Sequence, residues 1–365
     1  MRILIVGAGP IGCYVARLLQ SSGRGDIDIK LIEEHAEVGR PAHCAGLVSS
    51  SVIDKSRINI EDVVINNING AEFYLNGDNF SIQRKSVAVV IDRIKFDLLL
   101  SQGLNIDFGT RFIGVEKRGR EYIVEADRGE YSADIVIGAD GANSAVRKFI
   151  SSDNSASFLR GVQFRVKRKI ANPSFVQVYF RKKYFAWFIP EDAHISRVGI
   201  ISDNPHNDLM DLLSDVSQEA EIIEKTAGLV PIGSCQTLKD NLALVGDAAC
   251  QTKPLTYGGI YYGMRCAEIL ADSILEGNLD KYESRWKQSF EREISIGSKV
   301  KNIYQQLSDD NINRIFILLK ENSKVIEEFG DFENHSKVIS VLIRNPRLQG
   351  LLGKILINIV RDIKI

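Results

Sequence analysis

No uninterrupted apolar stretch in these 365 residues reaches the roughly eighteen that a membrane-spanning helix needs. An excess of one charge is missing too. Forty-six basic and 47 acidic side chains leave a net charge of −1, which argues against the counterion-release binding of a dedicated nucleic-acid protein. Cysteine is sparse: Cys13, Cys44, Cys235, Cys250 and Cys266 show neither CxxC nor CxxxC spacing. Neither a metal site nor a disulfide framework is expected from them, and the compartment reads as reducing, hence cytoplasmic. The opening MRILIVGAG has only four apolar residues before its first glycine and no small-residue cleavage site, so it reads as a strand rather than a signal peptide. There is no internal repeat and no low-complexity segment. What remains, 44% hydrophobic and 25% charged, is the balance of a globular chain of two to three domains.

The most informative stretch comes first. Arg2 to Val6 is a short apolar strand, Gly7-Ala8-Gly9-Pro10-Ile11-Gly12 follows at once, and Val15, Leu18 and Leu19 continue at helical spacing. After a break at Ser21-Ser22-Gly23-Arg24-Gly25, Ile27 to Glu33 alternates as a second strand ending in an acid. In this β-α-β unit Gly7 permits the tight bend, Gly9 lets backbone amides approach a pyrophosphate, and Gly12 lets helix and strand pack closely. Dinucleotide contacts are therefore expected at Gly7, Gly9, Pro10, Ile11 and Gly12. Glu33, with Glu34 beside it, is placed for a ribose hydroxyl. The fingerprint by itself does not separate NAD from FAD.

Further strands are expected at Val87 to Ile91, Asp134 to Gly138 and Leu242 to Val245, with a helix at Ile94 to Leu100 and a hairpin from Phe112 to Ala126. Residues 160–201 alternate like an antiparallel sheet with one wet face, and the pattern is helical beyond Gly258-Gly259. One nucleotide-binding domain is thus assembled from separated pieces, 1–54, 86–155 and 240–275. A sheet domain is inserted as 55–85 and 156–239, and a helical region follows at 276–365.

Two more motifs narrow the cofactor. Asp140-Gly141-Ala142-Asn143-Ser144-Ala145-Val146-Arg147 has the form DGxxSxxR, and Leu244-Val245-Gly246-Asp247 ends a strand with Gly-Asp before a helix. Singly, these are a turn and a helix cap. With the first motif, over roughly residues 1–275, they make the chain resemble the FAD-dependent group that includes p-hydroxybenzoate hydroxylase and the geranylgeranyl reductases. The resemblance implies an α/β fold. Its parts are a Rossmann-like FAD-binding domain of the p-hydroxybenzoate hydroxylase type, an inserted antiparallel β-sheet substrate domain and a C-terminal helical part. It assigns Asp247, after Gly246, to a ribitol hydroxyl of FAD, and places Pro254, Gly258, Gly259 and Ile260 beside the flavin ring. It puts Asp140, Gly141, Ser144 and Arg147 near the phosphates and Arg93 at the cofactor.

The narrower resemblance is to the geranylgeranyl reductase family. Gly39-Arg40-Pro41-Ala42-His43-Cys44-Ala45-Gly46-Leu47 matches its Cys-x-Gly-Leu stretch, and Phe185-Ala186-Trp187-Phe188-Ile189-Pro190 resembles its YxWxFP substrate motif, with Phe185 and Ile189 as departures. The match implies cofactor contacts at Arg40, Cys44, Ala45 and Gly46. It also implies a role for Cys44 in catalysis or substrate placement, against the ordinary reading of a thiol as core filler. Eight of the 29 aromatic residues crowd into 164–188 and can line an apolar slot, where each buried isoprene unit contributes on the order of 2–3 kcal/mol. Phe164, Tyr179, Phe185, Trp187, Pro190 and Tyr257 are the expected substrate contacts. The same aromatics can equally be the sheet's own core. Arg165, Lys167, Arg168, Lys169, Arg181, Lys182 and Lys183 stand beside them, as phosphate ligands or as edge-strand gatekeepers.

The reaction implied is reduction of carbon–carbon double bonds of an isoprenoid lipid or prenyl diphosphate, with hydride from flavin N5 and a proton from a protein or water acid. The alternatives are an FAD-dependent monooxygenase of an aromatic or lipid, and a flavin-bearing lipid binder without chemistry. No second GxGxxG marks a nicotinamide domain, so NAD(P)H, a ferredoxin or a quinol can each be the donor. The segment Val341 to Ile365, with five basic residues among Leu and Ile, suits either a helix docked on the body or peripheral contact with an anionic membrane.

Overall fold

The computed structural model describes residues 1–150, 156–217, 219–344 and 346. Strand alternation organises its first layer. Arg2–Val6 buries Ile3 and Ile5 in one core and Leu4 and Val6 in another, because successive side chains on a strand point to opposite faces. It lies inside a six-stranded sheet ordered Leu238–Lys239, Leu242–Leu244, Ile135–Gly138, Arg2–Val6, Asp28–Glu33, Ile106–Phe108. Every neighbouring pair is parallel except the first. Helices Pro10–Ser21 and Ile260–Leu275 cover one face, and the small sheet Phe112–Arg118, Glu121–Ala126, Gly129–Ala133 covers the other. The carboxyl ends of the central strands, where open α/β sheets bind ligands, deliver Gly7, Glu33, Asp140 and Asp247 to one edge.

The second sheet has eight strands, ordered Glu221–Ile232, Ser157–Lys167, Ile195–Ile201, Tyr184–Pro190, Phe175–Arg181, Val64–Leu75, Asp78–Ile91, Leu47–Ser49. It differs from the expectation of a purely antiparallel insert, since Phe175–Arg181 runs parallel to Val64–Leu75. Those two strands are far apart in sequence, so no hairpin dictates their direction. The boundary expected at 86 falls inside a strand of this sheet, and the one expected after 54 falls in the helix Ser50–Ser56 that follows its edge strand. Leu47–Ser49 forms its edge, and Asp78–Ile91 stays paired with Val64–Leu75 beyond residue 86.

One face of this sheet buries Phe164, Val166, Ala186, Phe188, Val198 and Ile200 under the helix Pro205–Val216. The C-terminal region is helical, as the pattern indicated: Tyr282–Gln306, Asp309–Glu321, Ser323–Phe329 and Ser336–Ile343. Its helices pack Ile296, Leu307, Ile312 and Phe316 against Leu75 and Phe80 of the strand pair 64–91. Among the described residues, no helix is long and apolar enough to cross a membrane. The basic tail, apart from its start and residue 346, lies outside the described residues.

Candidate cofactor and substrate site

The glycine turn is built as its spacing demands. Gly7 has φ +99°, and a Cβ there would lie 2.5 Å from the carbonyl oxygen of Ala139; a Cβ on Gly12 would collide with the carbonyl of Gly7. Gly9 is different: nothing lies within 4 Å of a Cβ built on it, so open space faces the start of the helix. That helix begins at Pro10 with no side-chain cap, leaving first-turn amides for an anion. Glu33 braces the turn from below. Its carboxylate accepts from the amides of Ala8 (2.8 Å) and His35 (3.0 Å), while Glu34 and Arg40 line the groove beyond.

Two further carboxylates line the same groove. Asp140 accepts from the amides of Ala145 (2.7 Å) and Val146 (3.2 Å) through Oδ2, whereas Oδ1 is buried without a partner. No hydrogen bond among the described residues reaches the Asp247 carboxylate. Burial pushes its pKa up to about 6, with Arg93 and Arg147 pulling the other way. Gly259 has no room for a side chain because a Cβ there would sit 2.5 Å from Asp247 Oδ1. Arg147 and Ser144 do not line the groove. Arg147 is buried behind it, donating to the carbonyls of Ala248 (2.8 Å), Ala142 (3.0 Å) and Asp247 (3.1 Å), and Ser144 Oγ accepts from the Arg147 amide. Gly246 and Pro254 likewise form the supports of the Asp247 turn rather than its surface. Gly246 packs on Ile11, and Pro254 lies against Gly297.

Arg93 and Cys44 meet beyond Asp247. The Arg93 guanidinium is held by Asp97 at 3.0 Å, on the wall that also carries Cys44, Ala45 and Gly141. Cys44 is partly exposed to the cavity, and its sulfur accepts the backbone amide of Gly46 at 3.3 Å. Gly46 itself points away, against Arg197. Gly258, Gly259, Ile260 and Tyr257 complete the opposite wall. Tyr257 stacks on Phe185 with centroids 5.7 Å apart; burial pushes its hydroxyl up to about 12, so it keeps its proton at neutral pH.

From this junction the groove widens into an apolar chamber, and the whole cavity measures about 1460 Å³. Strand period divides the expected substrate contacts. Phe185 and Trp187 face the chamber, as does Ile189 of the same motif, together with Val176, Val178 and Phe180, which lie outside it. Phe164 and Tyr179 do not: they point through the sheet toward the helix Pro205–Val216, and Pro190 sits in the same alternate set as Ala186 and Phe188. The far end is closed by Tyr304, Ile312, Phe316 and Val338 from the C-terminal helices, for which no motif gave a signal. Lys253 ties this region down through Glu333 (2.8 Å) and the carbonyl of Phe332 (2.9 Å). The neighbouring cations are mostly engaged: Arg165 with Glu191, Arg181 with Asp215, Lys182 with Asp309 and Arg168 with Gln177, while Lys183 lines the cavity.

A chamber of this kind makes a size prediction. Val178→Phe narrows it opposite Trp187, its cross-strand partner. Excluding one isoprene unit, worth about 2 kcal/mol, is expected to raise KM for a long prenyl chain about tenfold or more. Cofactor content should be untouched; equal KM values for long and short chains in parent and variant would show that the chain does not lie there.

No protein-family model matches the chain. It is 29% identical to an uncharacterized protein of Methanocaldococcus jannaschii, over 92% of this chain and 93% of that protein. It is 27% identical to a digeranylgeranylglycerophospholipid reductase of Methanothrix thermoacetophila, over 86% of this chain and 90% of the reductase. Among solved structures, a geranylgeranyl bacteriochlorophyll reductase-like protein of Thermoplasma acidophilum superposes with a TM-score of 0.84 at 21% identity, covering 99% of this chain and 98% of that one. The FAD complex of Klebsiella pneumoniae HpxO, at 17% identity, shares the fold with a TM-score of 0.67 over 90% of this chain and 97% of its own. The chain is thus similar, along nearly its whole length, to proteins named as geranylgeranyl-type reductases, and it shares its fold with FAD-binding flavoproteins.

Proposed function

We propose that the chain is an FAD-dependent oxidoreductase that reduces carbon–carbon double bonds of an isoprenoid lipid. The observation that carries this is continuity: one cavity joins the glycine turn, the Asp247 carboxylate, the Cys44 loop and a chamber of apolar side chains. The residues present fit FAD. Open space at Gly9 and the first-turn amides suit a pyrophosphate, and the unpartnered Asp247 carboxylate suits a ribitol hydroxyl. Reduced FAD supplies the electron pair for alkene reduction.

The chain's own part is placement and protons. An isolated alkene has no carbonyl to delocalise a carbanion, so protonation has to lead or accompany the reduction, which favours a dry, shaped chamber. Phe185, Trp187 and Tyr257 form the wall that holds the double bond. Cys44 stands at the junction of chamber and groove as the candidate proton donor. Arg93, beside it, keeps positive charge where negative charge develops.

The deciding test is anaerobic incubation of the protein, reduced with dithionite, with geranylgeranyl diphosphate or a digeranylgeranyl glycerophospholipid, followed by mass spectrometry. Two hydrogens gained per bond are expected. An added oxygen atom under aerobic turnover, or no change with FAD bound, would refute the reductase reading. Cys44→Ala is expected to lower kcat about tenfold or more while FAD stays bound, in keeping with loss of a general acid. Full activity in that variant would return the thiol to packing.

A further inference from the structure

The loop that carries Cys44 is held by a charged group that no motif above includes. Arg197 lies on the strand Ile195–Ile201 with its side chain only 12% exposed. Its Nη1 donates to the carbonyl of Ala45 at 2.8 Å and to that of Ile91 at 3.1 Å. Its Nε is anchored on Glu191 Oε1 at 2.7 Å. Glu191 is itself buried and takes a second guanidinium, that of Arg165, at 2.7 Å on Oε2. Gly46 completes the lock. It has φ +69°, its carbonyl accepts from the Ile91 amide at 2.8 Å, and a Cβ there would collide with the Arg197 guanidinium.

We propose that Arg197, fixed by Glu191, is a positioning residue for Cys44. By holding the Ala45 carbonyl it orients the planar peptide that this carbonyl shares with the Gly46 amide, and so keeps that amide aimed at the Cys44 sulfur and the sulfur aimed into the cavity. A guanidinium suits this task because its planar fork reaches two carbonyls and a carboxylate at once. Burial of the ion pair argues for a fixed geometry, since partly freed charges would be costly at this depth. The inference rests on the reading of Cys44 as a participant in the reduction.

The test uses FAD-loaded protein and two readouts, the rate of Cys44 alkylation by iodoacetamide, followed by peptide mass, and the kinetics of geranylgeranyl diphosphate reduction. For Arg197→Ala, alkylation is expected to be about threefold faster or more, because the released thiol samples solvent. The kcat should fall about tenfold with KM within about twofold, the signature of a displaced reacting group. Arg197→Lys, whose ammonium can still reach both carbonyls, should recover part of each change. An alkylation rate within about twofold of the parent would overturn the proposal. If Cys44→Ala proves fully active while Arg197→Ala still accelerates alkylation, the positioning role stands and the chemical role of the thiol falls. Should Arg197→Ala not fold, Glu191→Gln leaves both guanidinium groups in place and should speed alkylation in the same direction; an unchanged rate in that variant overturns the proposal.

Discussion

Asp247→Ala is expected to release FAD, raising its Kd about tenfold to a hundredfold, as the loss of a hydrogen bond to a charged group does. The carboxylate lines the groove, no described residue bonds it, and Gly259 leaves it just enough room. Its titration adds a pH signature. Burial favours the neutral acid and raises the folded pKa to about 6 in the cofactor-free protein. The contribution to stability is therefore full below about pH 4 and is lost as pH rises through 6, with at most about 3 kcal/mol involved. Asp247→Asn, which does not titrate, should flatten this loss in chemical denaturation of the cofactor-free protein between pH 4.5 and 7.5. A bound hydroxyl donor stabilises the ionised form, so the loss should shrink when FAD is present. An unchanged FAD Kd in Asp247→Ala, measured by flavin fluorescence, would remove the ribitol assignment.

The second large effect is expected at a residue outside the groove. Arg147→Ala removes the buried guanidinium that bonds three carbonyls, those of Ala142, Asp247 and Ala248, of which the Asp247 carbonyl retains the Cys250 amide. Such a loss costs about 3–5 kcal/mol, and it loosens the turn that presents Asp247. The protein should unfold at markedly lower urea concentration and retain little FAD. Arg147→Lys should rescue poorly, because one ammonium cannot reach carbonyls on both segments in the guanidinium's geometry. Stability within about 1 kcal/mol of the parent, with FAD retained, would show that the Gly-Asp turn stands without this clamp.

The two arginines of the motifs illustrate how far residue type can be trusted. Both Arg93 and Arg147 were expected at the cofactor because they recur in the family's order. Arg93 does line the groove, whereas Arg147 supports it from behind. Sequence order carries the same information for a ligand contact and for the brace of that contact. The substrate strand shows the opposite case. Alternation along Tyr184–Pro190 already separates Phe185 and Trp187 from Phe188 and Pro190, so the division was available from period alone once the chamber side was known. Arg197 had a weaker signal of the same kind, the one charge on a strand that is otherwise apolar apart from Ser196. Its partners, Ala45 and Glu191, come from distant and nearby sequence alike.

The sequence by itself determined the nucleotide-binding layer: a strand, a glycine turn, a helix and an acid are local in sequence, and their backbone demands are met by the residues that carry them. It also indicated the helices that follow, described from Tyr282 to Ile343. Only the tertiary structure decided which face of the second sheet lines the cavity and which packs in the core, that the C-terminal helices close the chamber, and that Arg197 holds the Cys44 loop. Those facts depend on contacts between segments far apart along the chain, where side-chain volume and charge are matched across space and leave no periodicity within either segment.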